Sequence, residues 1–389
     1  MSSIFTISID VYHNLPLFRE AMKTIQDQTY QNLEIIISNN GANQEITDFI
    51  LETKKEDKRV KVVTYEKNIF SWEVPTEMID VVYNGALKIA EGKYVFRQSY
   101  DDLIALDYAE RMVRLFDENT ECISAAGLPI VIDIEGKDIE GKIKDGEIYK
   151  RSKRSRNLRP RYMPGHEMVL DYLDPKGSKM FSAPGMIFAF RKDALIKYGG
   201  FHRAGEISHL CGLVPFGITG FDEEAIFYPR SHGGQLNKEL YRRGWVGMKE
   251  GDSMLNDFNI KERWSVFGED VAGYVVSRVS SMILGPAAPC TVICLFTFNF
   301  RGAVRSLSDS FWKLNYWKAL PKAIWQHKMV LVLSFLSRLQ SVIQPIINLL
   351  NSFLPSNTPG SGLIKKIQRY YDTGSVPTEL IPRKKPSQE

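Results

Sequence analysis

The stretch from Tyr94 to Asp102 reads YVFRQSYDD and joins an apolar, strand-like run to two adjacent carboxylates. Neighbouring carboxylates repel one another unless a divalent cation or strong hydrogen-bond donors offset their charge. Two interpretations are open: a solvated turn in which Asp102 caps a helix that begins near Ala105, or a cation site at the end of a strand. The segments that precede the stretch favour the cation site.

Strand-like and helix-like segments alternate through the first 118 residues. This pattern is typical of an α/β fold in which helices cover an open, mostly parallel sheet. Asn14 is suited to cap the first helix, with Pro16 in its first turn, and a second helix is expected from about Gln44. The predicted strands are residues 4–9, 33–37, 60–64 and 94–97. The buried stripe of a third helix is expected to consist of Met78, Val81, Val82, Ala86 and Ile89.

Polar residues follow three of the predicted strands. Ligands of an open α/β sheet bind outside the carboxyl ends of its strands, and those ends carry Asp10 and Tyr12, then Asn39, then Asp101 and Asp102. No Gly-x-Gly-x-x-Gly follows the first strand and no Gly-Lys-Ser/Thr loop occurs, which disfavours dinucleotide-binding and P-loop proteins. A divalent cation, Mn²⁺ or Mg²⁺, held by the acid pair would instead neutralise a diphosphate leaving group.

Four blocks of the sequence resemble the family-2 glycosyltransferases of the GT-A fold. Three blocks are residues 8–12 (SIDVY), 27–35 (DQTYQNLEI) and 84–94, which begins with NG and ends with AEGKY. The fourth, residues 185–201, is similar to the family's strand, Phe-Arg-Lys segment, helix and Gly-Gly-Phe turn. The match is specific over about residues 4–118, looser to about 245 and absent beyond 300. The resemblance implies an inverting enzyme that uses a nucleotide sugar.

The resemblance also implies roles for the polar residues at the strand ends. The family's Asp-x-Asp metal motif falls on residues 99–101, so Ser99 replaces its first acid and Asp101 and Asp102 remain as the expected metal ligands. Because Ser99 cannot supply a carboxylate, metal and donor are expected to bind together.

Three further positions are implied to face the donor. Asn39 stands where an acid often contacts the nucleobase, and Tyr12 is expected to lie against the base. Asp10 replaces a frequent Pro of the family and adds a negative charge near the donor.

An inverting transfer needs a carboxylate that takes the proton from the acceptor hydroxyl. Residues 220–224 read GFDEE, and Arg230 lies six positions after Glu224, which is similar to a Glu-Asp…Arg helix of the family. Glu223 or Glu224 is therefore the favoured base, with Asp222 left open.

A rival acid pair is Glu269 and Asp270, and Asp252 or another acid of the second half also stays open. Each of these carboxylates could instead be a helix-start residue or a surface salt-bridge partner.

The composition describes a globular chain with one local concentration of positive charge. The 389 residues are 44% apolar and 25% charged, with a net charge of +4. Seven of the twelve residues from Lys150 to Arg161 are Lys or Arg. This run is expected to be a solvated loop, or a clamp for the donor diphosphate, an anionic lipid or a phosphorylated acceptor. Nucleic acid is not an expected partner, because no nucleic-acid module accompanies the run.

The cysteine content and the start of the sequence favour the cytoplasm. The four cysteines fit no zinc-site spacing, and no charged-then-apolar leader precedes Ile4.

The expected domain division is a GT-A domain over residues 1–280, a helical appendage over 281–355 and a mobile tail over 356–389. Within the first domain, 1–118 is the nucleotide-sugar-binding half and 119–280 the acceptor half. No apolar run of the appendage reaches the roughly 20 residues that cross a bilayer. Its helices could contact the inner face of a membrane through 305–354, pack on the catalytic domain, or form the seam of a homo-oligomer.

These observations predict a metal-dependent glycosyltransferase of the hexosyltransferase type. The expected donor is a UDP-sugar, and the expected acceptor is a glycan or lipid-linked glycan in polysaccharide biosynthesis. The alternative is a non-catalytic sugar-nucleotide-binding module of the same fold, which Ser99, Asn39 and the undefined base leave open. A sugar-phosphate nucleotidyltransferase is disfavoured, because its Gly-rich amino-terminal loop with Arg and Lys is missing.

Overall fold

The computed structural model describes residues 3–72, 75–138, 160–174, 188–202, 204–232 and 255–284, together with 301, 303, 304 and 307. The chain forms two compact units, Met1–Ser231 with Lys249–Ser280, and His232–Met248 with Ser281–Glu389. The first unit contains the sheet and the candidate site. Most of the basic run, Asp252, the tail and nearly all of the expected appendage, including its proposed membrane-contact segment 305–354, lie outside the described residues, so the predictions made for them stay predictions.

In the described part of the chain, nine strands form one mixed sheet in the order β3-β2-β1-β4-β8-β6-β9-β5, with β7 also paired to β9. Strands β1 to β4 pair in parallel, as does β6 with β9, whereas β8, β5 and β7 pair antiparallel to their neighbours. The predicted α/β fold with an open sheet is confirmed, although the second half is less parallel than expected. The strands are β1 Phe5–Val11, β2 Leu33–Asn40, β3 Val60–Tyr65, β4 Tyr94–Ser99, β5 Leu103–Ile104, β6 Cys122–Pro129, β7 Tyr162–Pro164, β8 Phe188–Arg191 and β9 Ile218–Tyr228.

Helices flank the sheet. None of the helices within the described ranges is both long and apolar enough to cross a membrane. The helices are α1 Leu15–Gln26, α2 Gln44–Glu56, a π-helix Ile79–Tyr83, α3 Asn84–Ile89, α4 Tyr108–Glu118, α5 Gly165–Leu173, α6 Lys192–Tyr198, α7 Glu206–Gly212, α8 Ile260–Trp264 and α9 Glu269–Leu284.

The first helix begins as its sequence predicts. Asn14 adopts a left-handed conformation with φ 65°, and its side chain accepts the amide hydrogen of Leu17, with Pro16 in the first turn. Phe18 and Ile25 are fully buried against the sheet side of α1. A strong cap and a single apolar face fix the helix directly after β1.

The predicted third helix differs in its buried stripe. Val81 and Ile89 were expected to be buried, but they are 39% and 40% exposed, whereas Val82 and Ala86 are buried as predicted. The cause is the π-helical turn over Ile79–Tyr83. A π turn takes more residues than an α turn and rotates the following side chains around the helix axis. Tyr83 is thereby buried.

The fourth block of the resemblance folds as expected where it is described. Strand β8 runs into helix α6, and Gly199 and Gly200 then take φ values of 122° and 82°. A Cβ at Gly200 would lie 2.4 Å from Asn84 Oδ1. Asn84 accepts the amide hydrogen of Phe201 and donates to its carbonyl, each at 2.8 Å. The two halves of the sheet are therefore joined through the Asn84 side chain.

The helix expected across Asp222 to Arg230 is wrong, because Asp222 to Tyr228 belong to strand β9 and Arg230 follows the strand. Its sequence ITGFDEEAIFY contains β-branched and aromatic residues, and the strand pairs with β6 on one side and with β5 and β7 on the other. A register shift between Ala126 and Leu128 marks a bulge around Asp222 to Ala225.

Candidate active site

The carboxyl ends of β1, β2 and β4 meet at one edge of the sheet, as the sequence predicts. The parallel register places Asp10 beside Ser38 of β2 and beside Ser99 of β4. Asn39 is paired with Val11 in the same register. The residues expected to face a donor therefore belong to adjacent strand ends.

Asp10 is a buried carboxylate at this edge. It is 9% exposed, and its Oδ1 has no hydrogen-bond partner among the described residues. Burial raises the pKa of Asp10; the charge of Arg97 opposes this rise, the charge of Asp101 adds to it, and the Tyr83 side chain hydrogen-bonds the carboxylate. The site thus holds two nearby negative charges, Asp10 and Asp101, in a poorly solvated position.

Arg97 connects Asp10 to the second half of the domain. Its guanidinium carbon lies 3.7 Å from the centroid of the Tyr83 ring, in a cation–π contact. Burial lowers the pKa of His209 on α7 to about 4; a hydrogen bond with the Gly200 backbone opposes this change, and the charge of Arg97 adds a smaller lowering. Arg97 Nε and His209 Nε2 are both buried without partners among the described residues. A polar cluster therefore extends from Asp10 to α7.

The acid pair itself is held by specific hydrogen bonds. Asp102 is 7% exposed, and its Oδ1 accepts the backbone amide of Arg230 at 2.8 Å. Gln98 Nε2 donates to the Asp102 carbonyl at 2.7 Å, and Arg230 Nε donates to the Asp101 carbonyl at 2.8 Å. The helix after the pair begins at Tyr108, so the alternative of Asp102 as a cap for a helix near Ala105 is wrong.

Aromatic residues line the loops beside the pair. Tyr12 is 45% exposed, which leaves one ring face accessible to a base. Its neighbour His13 shares a hydrogen bond of 3.1 Å with the hydroxyl of Tyr100, between His13 Nε2 and Tyr100 Oη. Burial, with the charge of Asp101 next, raises the pKa of Tyr100, so this phenol stays protonated at neutral pH. The loop after β1 and the acid-pair loop are thus connected.

Asn39 is buried and is bonded within the chain. Its Oδ1 accepts the Ala42 amide at 2.9 Å, and its Nδ2 donates to Thr47 Oγ1 at 3.1 Å. The side chain therefore braces the turn into α2. The predicted contact between Asn39 and a nucleobase stays a prediction. Such a contact would have to share the Asn39 side chain with these two hydrogen bonds.

The carboxylates at this edge fit a divalent cation. Carboxylate oxygens are the ligands that Mg²⁺ and Mn²⁺ prefer, and Asp10 Oδ1 is an orphaned buried oxygen near Asp101. Within the described ranges, no group of three or more His, Cys, Asp or Glu side chains is arranged as a metal cluster. The protein would therefore supply only part of a coordination shell.

The acids of β9 lie far from the pair. Asp222 Oδ2 and Glu224 Oε2 both contact Arg111 on α4, at 3.3 and 2.7 Å, and Glu223 is exposed. In the pairing of β9 with β6, Phe221 is paired with Ala126, whereas Arg230 forms a bridge with Ile132, six residues further along the β6 chain. At about 3.3 Å per residue, these two positions are roughly 20 Å apart. The structure does not bring Asp222, Glu223 or Glu224 together with Asp102.

The rival acids start helix α9. Glu269 and Asp270 are exposed in its first turn. A cavity of about 500 Å³ includes Glu269, and its lining contains no residue of β1, β2 or β4. The lining residues are Leu255, Asn256, Asn259, Lys261, Glu262, Ser265 and Glu269.

Two charged residues of the site were missed from the sequence. Arg97 interrupts an otherwise apolar strand, which was a usable signal of a buried charge. Arg230 is notable in the sequence for its spacing from Glu224 and as the start of residues 230–234 (RSHGG), but neither feature predicts its contact with the acid pair, which depends on the pairing of β5 with β9. A sequence pattern cannot supply that long-range pairing.

Comparison with known proteins identifies the architecture around this edge. Residues 6–199 match the family described as Glycosyl transferase family 2. These residues belong to glycosyl transferase family 2. The match covers the ends of β1, β2 and β4 and the acid pair, and it confirms the resemblance drawn from the sequence blocks.

Curated family-2 relatives align over part of the chain. An uncharacterized glycosyltransferase of Haemophilus influenzae is 29% identical over 149 residues, which is 38% of this chain and 43% of that protein. The putative glycosyltransferase EpsH of Bacillus subtilis is 28% identical over 118 residues, which is 30% of this chain and 32% of that protein. The chain thus spans less than half the length of either relative.

A solved structure with a similar arrangement is the mannosyltransferase PcManGT from Pyrobaculum calidifontis in complex with GDP-Man and Mn²⁺. The identity is 12% and the TM-score 0.48, with 87% of each chain covered.

Proposed function

We propose that this protein is a glycosyltransferase that moves a sugar from a nucleotide-sugar donor, with a UDP-sugar expected, to a glycan or lipid-linked glycan acceptor. The observation that carries the proposal is the shared strand edge of Asp10, Asn39, Ser99 and Asp101 in a family-2 domain. Carboxylates at such an edge suit a donor diphosphate accompanied by a cation.

A divalent cation, Mn²⁺ or Mg²⁺, would be held by Asp101 and Asp102 and would neutralise the charge of the departing diphosphate. Asp10 adds to the negative potential that attracts a cation. Tyr12, which is exposed after β1, would lie against the nucleobase. The protein's own part is to position the donor and to exclude water from its reactive carbon.

The proposed chemistry is a single inverting displacement. A carboxylate of the second half takes the proton of the acceptor hydroxyl, the hydroxyl oxygen forms a bond to the anomeric carbon, and the nucleoside diphosphate leaves from the opposite face. The base candidates that the sequence offers are Glu223, Glu224 and Asp222, followed by Glu269 and Asp270. Their positions on β9 and at the start of α9 do not adjoin the acid pair through any contact described above.

Glu206 is a further candidate for the base, from its backbone position. It is the first residue of α7, and a Cβ placed on the preceding Gly205 would lie 4.0 Å from Ile79. Ile79 begins the π-helix that ends at Tyr83, which hydrogen-bonds Asp10. The start of α7 therefore lies beside the π-helix whose Tyr83 bonds Asp10.

The test is turnover with a panel of nucleotide sugars in the presence of Mn²⁺. Release of UDP or GDP from a donor supports the enzyme. The distance of the β9 acids from the pair favours the second candidate, a non-catalytic sugar-nucleotide-binding module. The non-catalytic module is supported if the protein binds a donor but releases nucleoside diphosphate from none of the donors tested.

A further inference from the structure

Arg230 is the most completely buried charged residue near the acid pair. Its side chain has 0% exposure, and it follows directly after β9 and Pro229. An arginine stays protonated at any physiological pH, so its charge must be paired or fully hydrogen-bonded in such a position. Its partners therefore explain why it is tolerated there.

The partners of Arg230 come from three other parts of the chain. Nε donates to the Asp101 carbonyl at 2.8 Å, and a terminal nitrogen donates to the Ile134 carbonyl. The other terminal nitrogen forms an ion pair of 2.7 Å with Glu20 Oε2 on α1. The planar guanidinium thus fixes the acid-pair loop, the chain after β6 and helix α1 in one arrangement.

The main chain of Arg230 adds a contact to the carboxylate itself. Its amide donates to Asp102 Oδ1 at 2.8 Å. Both members of the acid pair are consequently attached to Arg230, Asp101 through its carbonyl and Asp102 through its side chain. Rotation of the 101–102 peptide would break at least one of these bonds.

Glu20 makes the position of the Arg230 side chain depend on an ion pair. Its side chain is 54% exposed, so it pairs with Arg230 at the edge of the solvent, while the guanidinium lies inside. Loss of the Glu20 charge would remove this ion pair and leave the buried guanidinium beside the acid pair, where its positive charge would oppose the binding of a cation.

We infer that Arg230, held by Glu20, is a positioning residue that orients Asp101 and Asp102 for the cation that accompanies a nucleoside diphosphate. The inference rests on the proposed function. It concerns a residue that acts through the acid pair, by the bonds of its amide to Asp102 and of its side chain to the Asp101 carbonyl.

The chain offers a matched control in Arg59. This arginine also bonds a carboxylate and a main-chain carbonyl, those of Asp57 and Gln26, at 2.7 and 2.9 Å. It precedes β3, at the opposite end of the strands from the acid pair. Arg59→Lys therefore loses a comparable set of bonds without reaching the site.

The experiment measures Mn²⁺ binding by electron paramagnetic resonance, once in the presence of UDP and once in the presence of GDP. The proteins compared are the wild-type full chain and its variants Arg230→Lys, Glu20→Gln and Arg59→Lys. Thermal unfolding is recorded for each. Arg230→Lys is expected to raise the Kd for Mn²⁺ by about tenfold, since a lysine cannot make the three hydrogen bonds of the planar guanidinium. Glu20→Gln is expected to raise this Kd by about threefold, since it removes only the charge of the ion pair. The Mn²⁺ spectrum of both variants should change, and Arg59→Lys should keep the wild-type Kd.

A purely structural role would lower the unfolding temperature of all three variants but leave the Kd and the spectrum unchanged in protein that stays folded. That result overturns the inference. If Arg230→Lys does not fold, Glu20→Gln decides between the outcomes, because its side chain is half exposed. Absence of Mn²⁺ binding by the wild-type protein with either nucleotide overturns the proposed metal-dependent function itself, and the inference with it.

Discussion

Arg230 and Asp102 are 128 residues apart, yet the backbone amide of one donates to the carboxylate of the other at 2.8 Å. The acid pair is therefore a product of tertiary pairing between β5 and β9, as well as of the local sequence at the end of β4. Its arrangement depends on groups from the family-2 residues 6–199 and from Arg230 beyond them.

Asp102→Asn separates the charge of this carboxylate from its structural bond. The Asn oxygen can still accept the Arg230 amide, so the unfolding free energy should fall by no more than about 1 kcal/mol. Loss of the charge should abolish Mn²⁺-dependent UDP binding in calorimetry. Asp102→Ala, which orphans a buried amide, should cost about 1–3 kcal/mol. Mn²⁺-dependent binding by Asp102→Asn equal to wild type would remove Asp102 from the metal site.

His209 should make stability depend on pH. Burial, the largest cause, lowers the pKa of its imidazole from the usual 6.5 to about 4. Between these values the unfolded chain binds a proton that the folded chain does not, so stability present above pH 6.5 is lost as pH falls towards 4. His209→Gln should flatten the unfolding temperature over this range, measured by differential scanning fluorimetry.

The control for this titration is His166→Gln, since His166 is half-buried against Phe267 rather than enclosed. A slope between pH 7 and 4 that is the same in His209→Gln and in wild type would refute the assignment.

Gly127 should be the more costly of two glycines to replace. A Cβ at Gly127 would lie 1.9 Å from the backbone oxygen of Ala225, at the bulge of β9. Gly127→Ala must displace main chain and is expected to destabilise the protein by about 1–3 kcal/mol.

Gly273 in α9 is the matched position, because a Cβ there meets nothing within 4 Å. Gly273→Ala should stabilise the protein by up to about 1 kcal/mol through helix propensity. Urea denaturation measures both changes, and equal effects would contradict the packing described at the bulge.

The amino-terminal half of the fold was predictable because its signals are local. Asn14 and Pro16 mark a helix start within four residues of β1, and the parallel strands place Asp10 and Ser99 at one edge without any further information. The second half was less predictable. Residues 222–230 resemble a helix in charge spacing, but pairing with β6 and β5 makes residues 222–228 part of a strand. Such pairing is set by distant parts of the chain.

The catalytic base was also hard to predict from the sequence, because its identity depends on long-range strand pairing. Spacing in the sequence favoured Glu223 and Glu224, whereas the fold ties Asp222 and Glu224 to Arg111. The backbone of Glu206 follows Gly205, which lies beside Ile79 of the π-helix that ends at Tyr83. Nothing local in the sequence distinguishes these acids, because their distance from the acid pair is a property of the assembled sheet.

Turnover of single variants decides between the candidate bases. A general base contributes about 10²–10⁴-fold, so Glu206→Gln is expected to reduce nucleoside diphosphate release with acceptor at least about 100-fold while donor affinity stays near wild type. Glu224→Gln should change turnover by only a few-fold, since Glu224 pairs with Arg111 at the protein surface. Glu223→Gln, Glu269→Gln and Asp270→Asn, run in the same assay, complete the comparison. Full turnover by Glu206→Gln together with an inactive Glu224→Gln would return the base to β9 and would require the bulge at Asp222 to Ala225 to move towards the acid pair when the donor binds.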